Sequence, residues 1–257
     1  MSTREDRDDT GAGVVLPGEV SRVVSLVPSL TESVAASAPG LLVAATDWCT
    51  HPAGLQVQRV GGTKSPDLDA VRQLAPDLVL ANEEENRPQD IAALRAAGLP
   101  VWVTAPRTVP GAIASLARML DSCRLGRPRW LRVAEERWAT PYDGPRRRAF
   151  VPIWRRPWMS LGRDTVAGDV LARLGVDHVY ATHDERYPRV DLAQARARGV
   201  DVVVLPDEPY AFTAQEGAEV FGEWGAPVRC VSGRMLTWYG PSLAEARAVL
   251  TEALAGP

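Results

Sequence analysis

Three groups of residues in this chain could do chemistry. Cys49-Thr50-His51 offers a thiolate and an imidazole, donors that soft and borderline metals accept. Two ligands make only part of a site, and no CxxC or HxxxH completes it, so a buried cysteine beside a hydrogen-bonded histidine competes with metal binding at Cys49 and His51. Glu83-Glu84-Glu85, followed by Asn86, could hold a hard cation, accept a ligand's hydroxyls or face a basic partner; the same charge run also suits a solvated loop. Arg155, Arg156 and Arg163 present planar forks suited to carboxylate or phosphate groups. His178 and His183, with Asp184 and Glu185, read as a solvated connection. There is no nucleophile elbow, Walker loop, GxGxxG after the first strand or HExxH, and Gly61-Gly62-Thr63-Lys64 lacks phosphate-loop spacing.

The elements that must position these groups follow from hydrophobic period. The short β-branched run at 22–27 (RVVSLV) and the run at 77–81 (DLVLA) predict buried strands, and 41–45, 100–104 (PVWVT), 148–154 (RAFVPIW), 201–205 (DVVVL) and 227–231 predict strands as well. Helices are predicted between them: from Ser29, which has capping-box spacing to Glu32, to 38, and over 67–75, 88–97, 164–174 and 192–198. One further helix starts near Thr213, 232–241 reads as a loop, and a final helix follows it to about Ala255. Strands alternating with helices argue for parallel sheets.

The order of elements occurs twice. DLVLANEE at Asp77 answers DVVVLPDE at Asp201, and GLPVWVTAPR answers GAPVRCVSGR. In each half the acidic-loop strand starts roughly 55 residues after the first strand, a length that fits a few βα units. Between the halves, Ile113, Leu116, Ala117 and Leu120 fall at helical spacing; Gly126 and Pro128 punctuate; a second run turns Leu131, Ala134 and Trp138 inward. From 128 to 140 a helix spans about 20 Å. The expected fold is therefore α/β: two Rossmann-like lobes with mainly parallel sheets, joined by a single helical strut. The expected divisions are a disordered tail at 1–13, an N-terminal lobe at 14–107, a helical linker at 108–140 and a C-terminal lobe at 141–257.

Open α/β sheets bind ligands beyond the carboxyl ends of their strands. Trp48, Trp154, Trp158, Tyr210, Phe212, Trp238 and Tyr239 all fall on such predicted ends. Rigid aromatic surfaces with polar tips suit a broad, flat, partly apolar ligand, and the gap between lobes is the expected place for it. Any one of these aromatics could equally pack a loop onto its lobe.

Net charge of −3 and a pI near 5.7 give no general pull toward nucleic acid or anionic membrane. No apolar run is long enough for membrane insertion, and three cysteines far apart imply no disulfide framework. The polar stretch 1–13 shows no signal peptide or lipobox, which predicts a cytoplasmic protein, or an exported one if a leader has been trimmed away.

Together, RVVSLVPSLTE, GGTKSPDL, LAPDLVLANEEEN, WRRPWMSLGRDT, LPDEPYAF and LTWYGP resemble the class III solute-binding proteins, the vitamin B12 and ferric-siderophore binding components of ABC importers. The resemblance runs from about Arg22 to Leu254 and is nearest the cobalamin-binding-like, helical-backbone metal-receptor branch. It implies a corrinoid, haem-like or metal-chelate ligand held between lobes with little domain motion, and an ABC permease as partner if the chain is exported. Carried over by position, it implies a site of Pro28, Ser29, Trp48, Glu83, Glu84, Glu85, Asn86, Trp154, Trp158, Arg163, Glu208, Tyr210, Trp238 and Tyr239, to which Arg155 is added for its planar fork. Cobalamin or another metal chelate is thus the expected bound group, as ligand and not as catalyst. The alternative is an enzyme using Cys49, His51 and the 83–85 loop on a small metabolite.

Overall fold

The computed structural model describes residues 2–256; Met1 and Pro257, the outermost residues of the expected tail and C-terminal lobe, lie outside them. The chain divides into two compact units. One takes the chain up to Pro106 with Ala112–Arg132 and Tyr239–Pro241; the other takes Arg107–Gly111, Val133–Trp238 and the chain from Ser242 on. The expected 108–140 linker is thus shared between the units and does not stand apart.

The expectation of a disordered tail at 1–13 is corrected. β1 (Thr3–Arg7) and β2 (Gly13–Pro17) pair antiparallel, Arg4 opposite Leu16 and Asp6 opposite Val14. The alternation that makes this a strand pair lies in β2, where Val14 and Leu16 are buried and Val15 faces out. Asp8 closes the turn by accepting from the backbone N–H groups of Thr10 (2.9 Å) and Ala12 (3.0 Å). Gly11, at φ 80°, supplies the left-handed residue.

The first unit continues with β3 (Val23–Ser25), α1 (Pro28–Ala35), β4 (Leu42–Ala45), β5 (Gln58–Arg59), the small ribbon β6 (Gly61–Gly62) and β7 (Ser65–Pro66), α2 (Leu68–Gln73), β8 (Leu78–Asn82), α3 (Pro88–Ala96) and β9 (Val101–Thr104). Ser29 does not cap α1 as expected. Pro28 occupies the first helical position, where its missing N–H costs nothing, and Ser29 is already inside. Strands β5-β4-β3-β8-β9 form one wholly parallel sheet. Its core joins Val24, Leu26, Val79, Val103 and Leu94.

The expected helical runs are α4 (Val109–Ser122) and α5 (Arg129–Trp138), broken at 123–128 where Arg124 (φ 58°) and Gly126 (φ 59°) turn left-handed. Leu116, Leu120, Leu131, Ala134 and Trp138 are all buried, as their spacing predicted.

The second unit follows with β10 (Arg147–Phe150), β11 (Pro152–Arg155), β12 (Trp158–Ser160), α6 (Val166–Ala172), β13 (Val176–His178), α7 (Leu192–Ala197), β14 (Val202–Pro206), α8 (Ala214–Phe221), β15 (Val228–Val231), α9 (Gly233–Thr237) and α10 (Leu243–Ala255). The single strand predicted at 148–154 is two, because β11 leaves the sheet to pair antiparallel with β12. The main sheet, β13-β10-β14-β15, is again parallel and repeats the order β4-β3-β8-β9.

The repeat extends to single hydrogen bonds. Asp77 accepts from the Arg22 N–H at 2.9 Å and Asp201 from the Arg148 N–H at 2.7 Å. The Arg22 guanidinium donates to the Leu74 carbonyl ending α2; that of Arg148 donates to the Arg198 and Gly199 carbonyls after α7. In both units an aspartate and an arginine lock the start of the two central strands to the end of the helix between them.

Candidate functional site

In the first unit the strand ends are organised around β8. Asn82 Oδ1 accepts from the N–H groups of Glu84 (2.8 Å) and Glu85 (3.0 Å), bending the chain into a tight acidic loop. Asn86 closes it: its Oδ1 accepts from Asn82 N–H at 2.9 Å, and its Nδ2 donates to the carbonyls of Leu26 (3.3 Å) and Thr63 (2.9 Å). Lys64 reaches over from the β6–β7 turn to donate to the Glu84 carbonyl. Glu83 and Glu85 point outward, and Glu84 is half-buried.

Trp48 is the largest outward apolar surface here, 67% exposed. A Cβ added at Gly62 would meet its Nε1 at 3.5 Å, so the glycine ribbon lets the indole lie close. Pro28 is half-buried, and Ser29 is buried.

Two residues expected to meet a ligand hold the unit together instead. Asn86 is 2% exposed and its three hydrogen bonds all go to backbone. Tyr239 is buried, and its hydroxyl sits 2.7 Å from Asn82 Nδ2 and 2.8 Å from Thr104 Oγ1; burial holds the phenol well above its ordinary pKa. Neither side chain has surface left for a ligand.

The metal reading of Cys49 and His51 is corrected as well. The Cys49 thiol is wholly buried, accepts from Thr31 Oγ1 at 3.0 Å and lies 3.1 Å from Thr46 Oγ1. Burial raises its pKa, which disfavours the thiolate that a metal or a nucleophilic mechanism requires. His51 Nδ1 is 3.2 Å from Thr50 Oγ1. Among the described residues no group of three or more His, Cys, Asp or Glu side chains could hold a metal.

In the second unit, the β11–β12 hairpin and the loop after β14 bring Trp154, Arg155, Trp158 and Tyr210 together. Trp154, 42% exposed, meets Tyr210 edge-on with centroids 5.7 Å apart. Trp158 stacks on Phe212 at 6.0 Å and 6°, and Tyr210 leans on Phe212 at 4.5 Å. Arg155 lies over Trp158 at 5.9 Å. Its guanidinium donates to Glu216, and the hydrogen bonds with Tyr210 and Glu216 raise its pKa. Glu208 forms a separate pair by accepting from Trp238 Nε1 at 3.0 Å. Arg163 stands apart with long contacts to Asp164 and Asp184, 3.6 Å each. It borders a cavity of about 210 Å³ with Arg107, Thr165, Asp169 and His178, smaller than the roughly 300–1,000 Å³ of typical ligand pockets.

Sequence reasoning missed Glu216, although Thr213-x-x-Glu216 has capping-box spacing and forms that box. It also placed His178 in a solvated connection. His178 lies on β13, 6% exposed, with Nδ1 buried and unbonded, and burial lowers its pKa from the ordinary 6.5. The unfolded chain therefore takes up a proton as pH falls through about 6.5 while the folded chain resists. Stability is full above that pH and is lost below it, levelling once the folded imidazole also titrates. Melting temperatures from pH 8 to 5 should fall more steeply for the native chain than for His178→Gln; parallel curves would show that His178 is not the group responsible.

This is an α/β protein whose parallel sheets carry their loops and aromatics at the strands' carboxyl ends, the fold of the class III binding proteins. Its relatives are vitamin B12-binding proteins, as the resemblance in the sequence implied. The vitamin B12-binding protein of Vibrio cholerae serotype O1 (strain ATCC 39541 / Classical Ogawa 395 / O395) is 23% identical over 203 residues, covering 76% of this chain and 74% of that one. Among solved structures, the periplasmic vitamin B12 binding protein of Vibrio cholerae superposes with a TM-score of 0.76 at 18% identity, covering 93% of this chain and 98% of its own. A periplasmic heme-binding protein from Roseiflexus sp. RS-1 superposes with a TM-score of 0.73 at 20% identity, covering 90% and 97%. No family model matches. The cytoplasmic expectation is overturned by these comparisons: both of these solved neighbours are periplasmic proteins.

Proposed function

We propose that this chain is the ligand-binding component of an ABC importer and holds a corrinoid, haem or other metal chelate against the aromatic surfaces at its strand ends. The observation that carries the reading is the platform of Trp154, Trp158 and Tyr210, whose polar edges are braced by Arg155 while Trp154 remains open to solvent. Such a surface gains affinity by burying flat apolar area. The relatives support the ligand class, since their names specify vitamin B12 and heme. Trp48 serves the same purpose in the first unit, and the outward carboxylates of Glu83 and Glu85 face the ligand's polar groups or the permease. Ligand delivery to the permease then needs no chemistry from the protein.

Titration of the purified protein with cyanocobalamin, haemin and a ferric siderophore, followed by absorbance and by melting temperature, tests this. One of the three should shift both signals, and Trp154→Ala should weaken that ligand by about tenfold or more, as for a central aromatic contact. No shift with any of the three overturns the reading.

A further inference from the structure

We infer that Glu216 is the positioning residue of the aromatic platform: through Arg155 and Tyr210 it sets the orientation in which Trp154 meets a ligand. The inference rests on the proposed binding function for its purpose, but not for its geometry.

Glu216 lies in the first turn of α8, partly exposed, with both carboxylate oxygens engaged by neighbouring groups. Its Oε1 accepts from the Arg155 guanidinium on β11 and from the Tyr210 hydroxyl at 2.9 Å. Its Oε2 accepts from the Thr213 N–H at 3.2 Å and lies 3.4 Å from the Thr213 hydroxyl, which in turn accepts from the Glu216 N–H at 3.1 Å. One carboxylate therefore ties three separate segments: the hairpin strand, the loop after β14 and the start of a helix. Two of the three ties lead to an aromatic. Arg155 lies over Trp158, and Tyr210 supplies the edge-on partner of Trp154.

An isolated capping box needs only Thr213 and Glu216. Here Oε1 is left over from the cap and receives the two donors that steer the platform. An arginine held by a carboxylate keeps its plane fixed, and a tyrosine hydroxyl held at its tip keeps its ring from swinging. Without Glu216, Arg155 would lose its carboxylate partner, and the Tyr210 ring would rest on Phe212, Trp154 and an Arg155 that is itself no longer anchored. Trp154, already exposed, would lose its fixed neighbour. Pre-organisation of this kind acts on affinity by sparing the ligand the cost of ordering side chains, which is worth about two- to tenfold per rotamer-rich side chain.

The test compares the native protein with Glu216→Gln, Glu216→Ala, Trp154→Ala and the Trp154→Ala/Glu216→Ala pair. The Glu216→Gln variant keeps the side chain's length and one oxygen acceptor, which guards against loss of the fold. The ligand-free readout is acrylamide quenching of tryptophan emission, with the Trp154→Ala spectrum subtracted to isolate Trp154. Quenching of Trp154 should rise in both Glu216 variants while the far-ultraviolet spectrum stays native; unchanged quenching in a folded variant overturns the inference. The second readout is affinity for cyanocobalamin and haemin. Glu216→Ala should weaken the ligand that binds by about two- to tenfold, and the pair should be no weaker than Trp154→Ala alone, because Glu216 works through Trp154. Additive losses overturn the inference. If the native protein binds neither compound, the proposed function fails while the quenching result still decides the role of Glu216.

Discussion

Asp8→Ala should lower the stability of the first unit by about 3–4 kcal/mol, the range for removing one partner of a buried, charge-assisted set. The Asp8 side chain is wholly buried and accepts five hydrogen bonds. Oδ1 takes the Thr10 N–H (2.9 Å), the Thr10 hydroxyl (2.6 Å) and the Ala12 N–H (3.0 Å); Oδ2 takes Arg95 Nη2 (2.7 Å) and the Val103 N–H (3.2 Å). The first three shape the turn between β1 and β2. The last two fasten that turn to β9 and α3. Next to it, the Asp9 N–H donates to the Val103 carbonyl, and the Asp9 carboxylate accepts from the Ala105 N–H, the Ser115 hydroxyl and the Arg118 guanidinium. The turn thus covers the outer edge of β9, whose N–H and C=O groups would otherwise be exposed. Urea unfolding of Asp8→Ala should show a reduced midpoint, with protease cleavage moving into residues 2–18. An unchanged midpoint would show that the hairpin contributes nothing to the unit's stability. Asp8→Asn keeps both oxygen positions filled but brings two donors of its own against Arg95 and the backbone N–H groups, so it should fall between the two.

How much of this was legible in the sequence depended on the residue types involved. The central strands were readable because β3, β8 and β14 are short, mostly apolar runs buried along their whole length, and in β10 Ala149 and Phe150 lead into the buried Val151 after two arginines that reach the surface. The internal repeat was readable for the same reason, and Asp77 and Asp201 mark it because each must accept from the strand beside it. The β1–β2 hairpin was not, since its charged strand reads as solvated chain until the aspartates of the turn are known to dock on β9. β13, three residues long with an aspartate in the middle, carries no period at all. At the site, aromatic type located the strand-end loops but could not separate Trp154, which is open, from Tyr239, which is sealed. Polar-tipped aromatics look alike in sequence; burial and the partner of the polar tip distinguish anchor from contact. Cys49 posed the same problem, its neighbours in sequence giving no sign of Thr31 and Thr46 around the sulfur.

Asn86 is the residue where that distinction has the largest consequence. Had it faced a ligand, Asn86→Ala would weaken binding and leave the fold alone. The geometry requires the opposite. Removing the amide strands the Asn82 N–H and takes a donor from the Leu26 and Thr63 carbonyls, all at buried positions or beside them. At about 1–3 kcal/mol for each unsatisfied group, and less for carbonyls that keep another partner, the expected loss is about 3 kcal/mol, or roughly 6–12 °C in melting temperature for a chain of this size. Because Asn82 also donates to Tyr239 and shapes the Glu84–Glu85 bend, the disturbance should travel along that chain of bonds. Amide exchange should therefore quicken first at Glu84 and Glu85, then at Thr104. Glu83→Gln and Glu85→Gln, altered on the outward face of the same loop, should stay within about 0.5 kcal/mol of the native chain. A stable Asn86→Ala protein with impaired ligand binding would reverse the assignment, placing the amide at the ligand and leaving the loop to be held by its other bonds, those of Asn82, Lys64 and the Glu83 N–H among them.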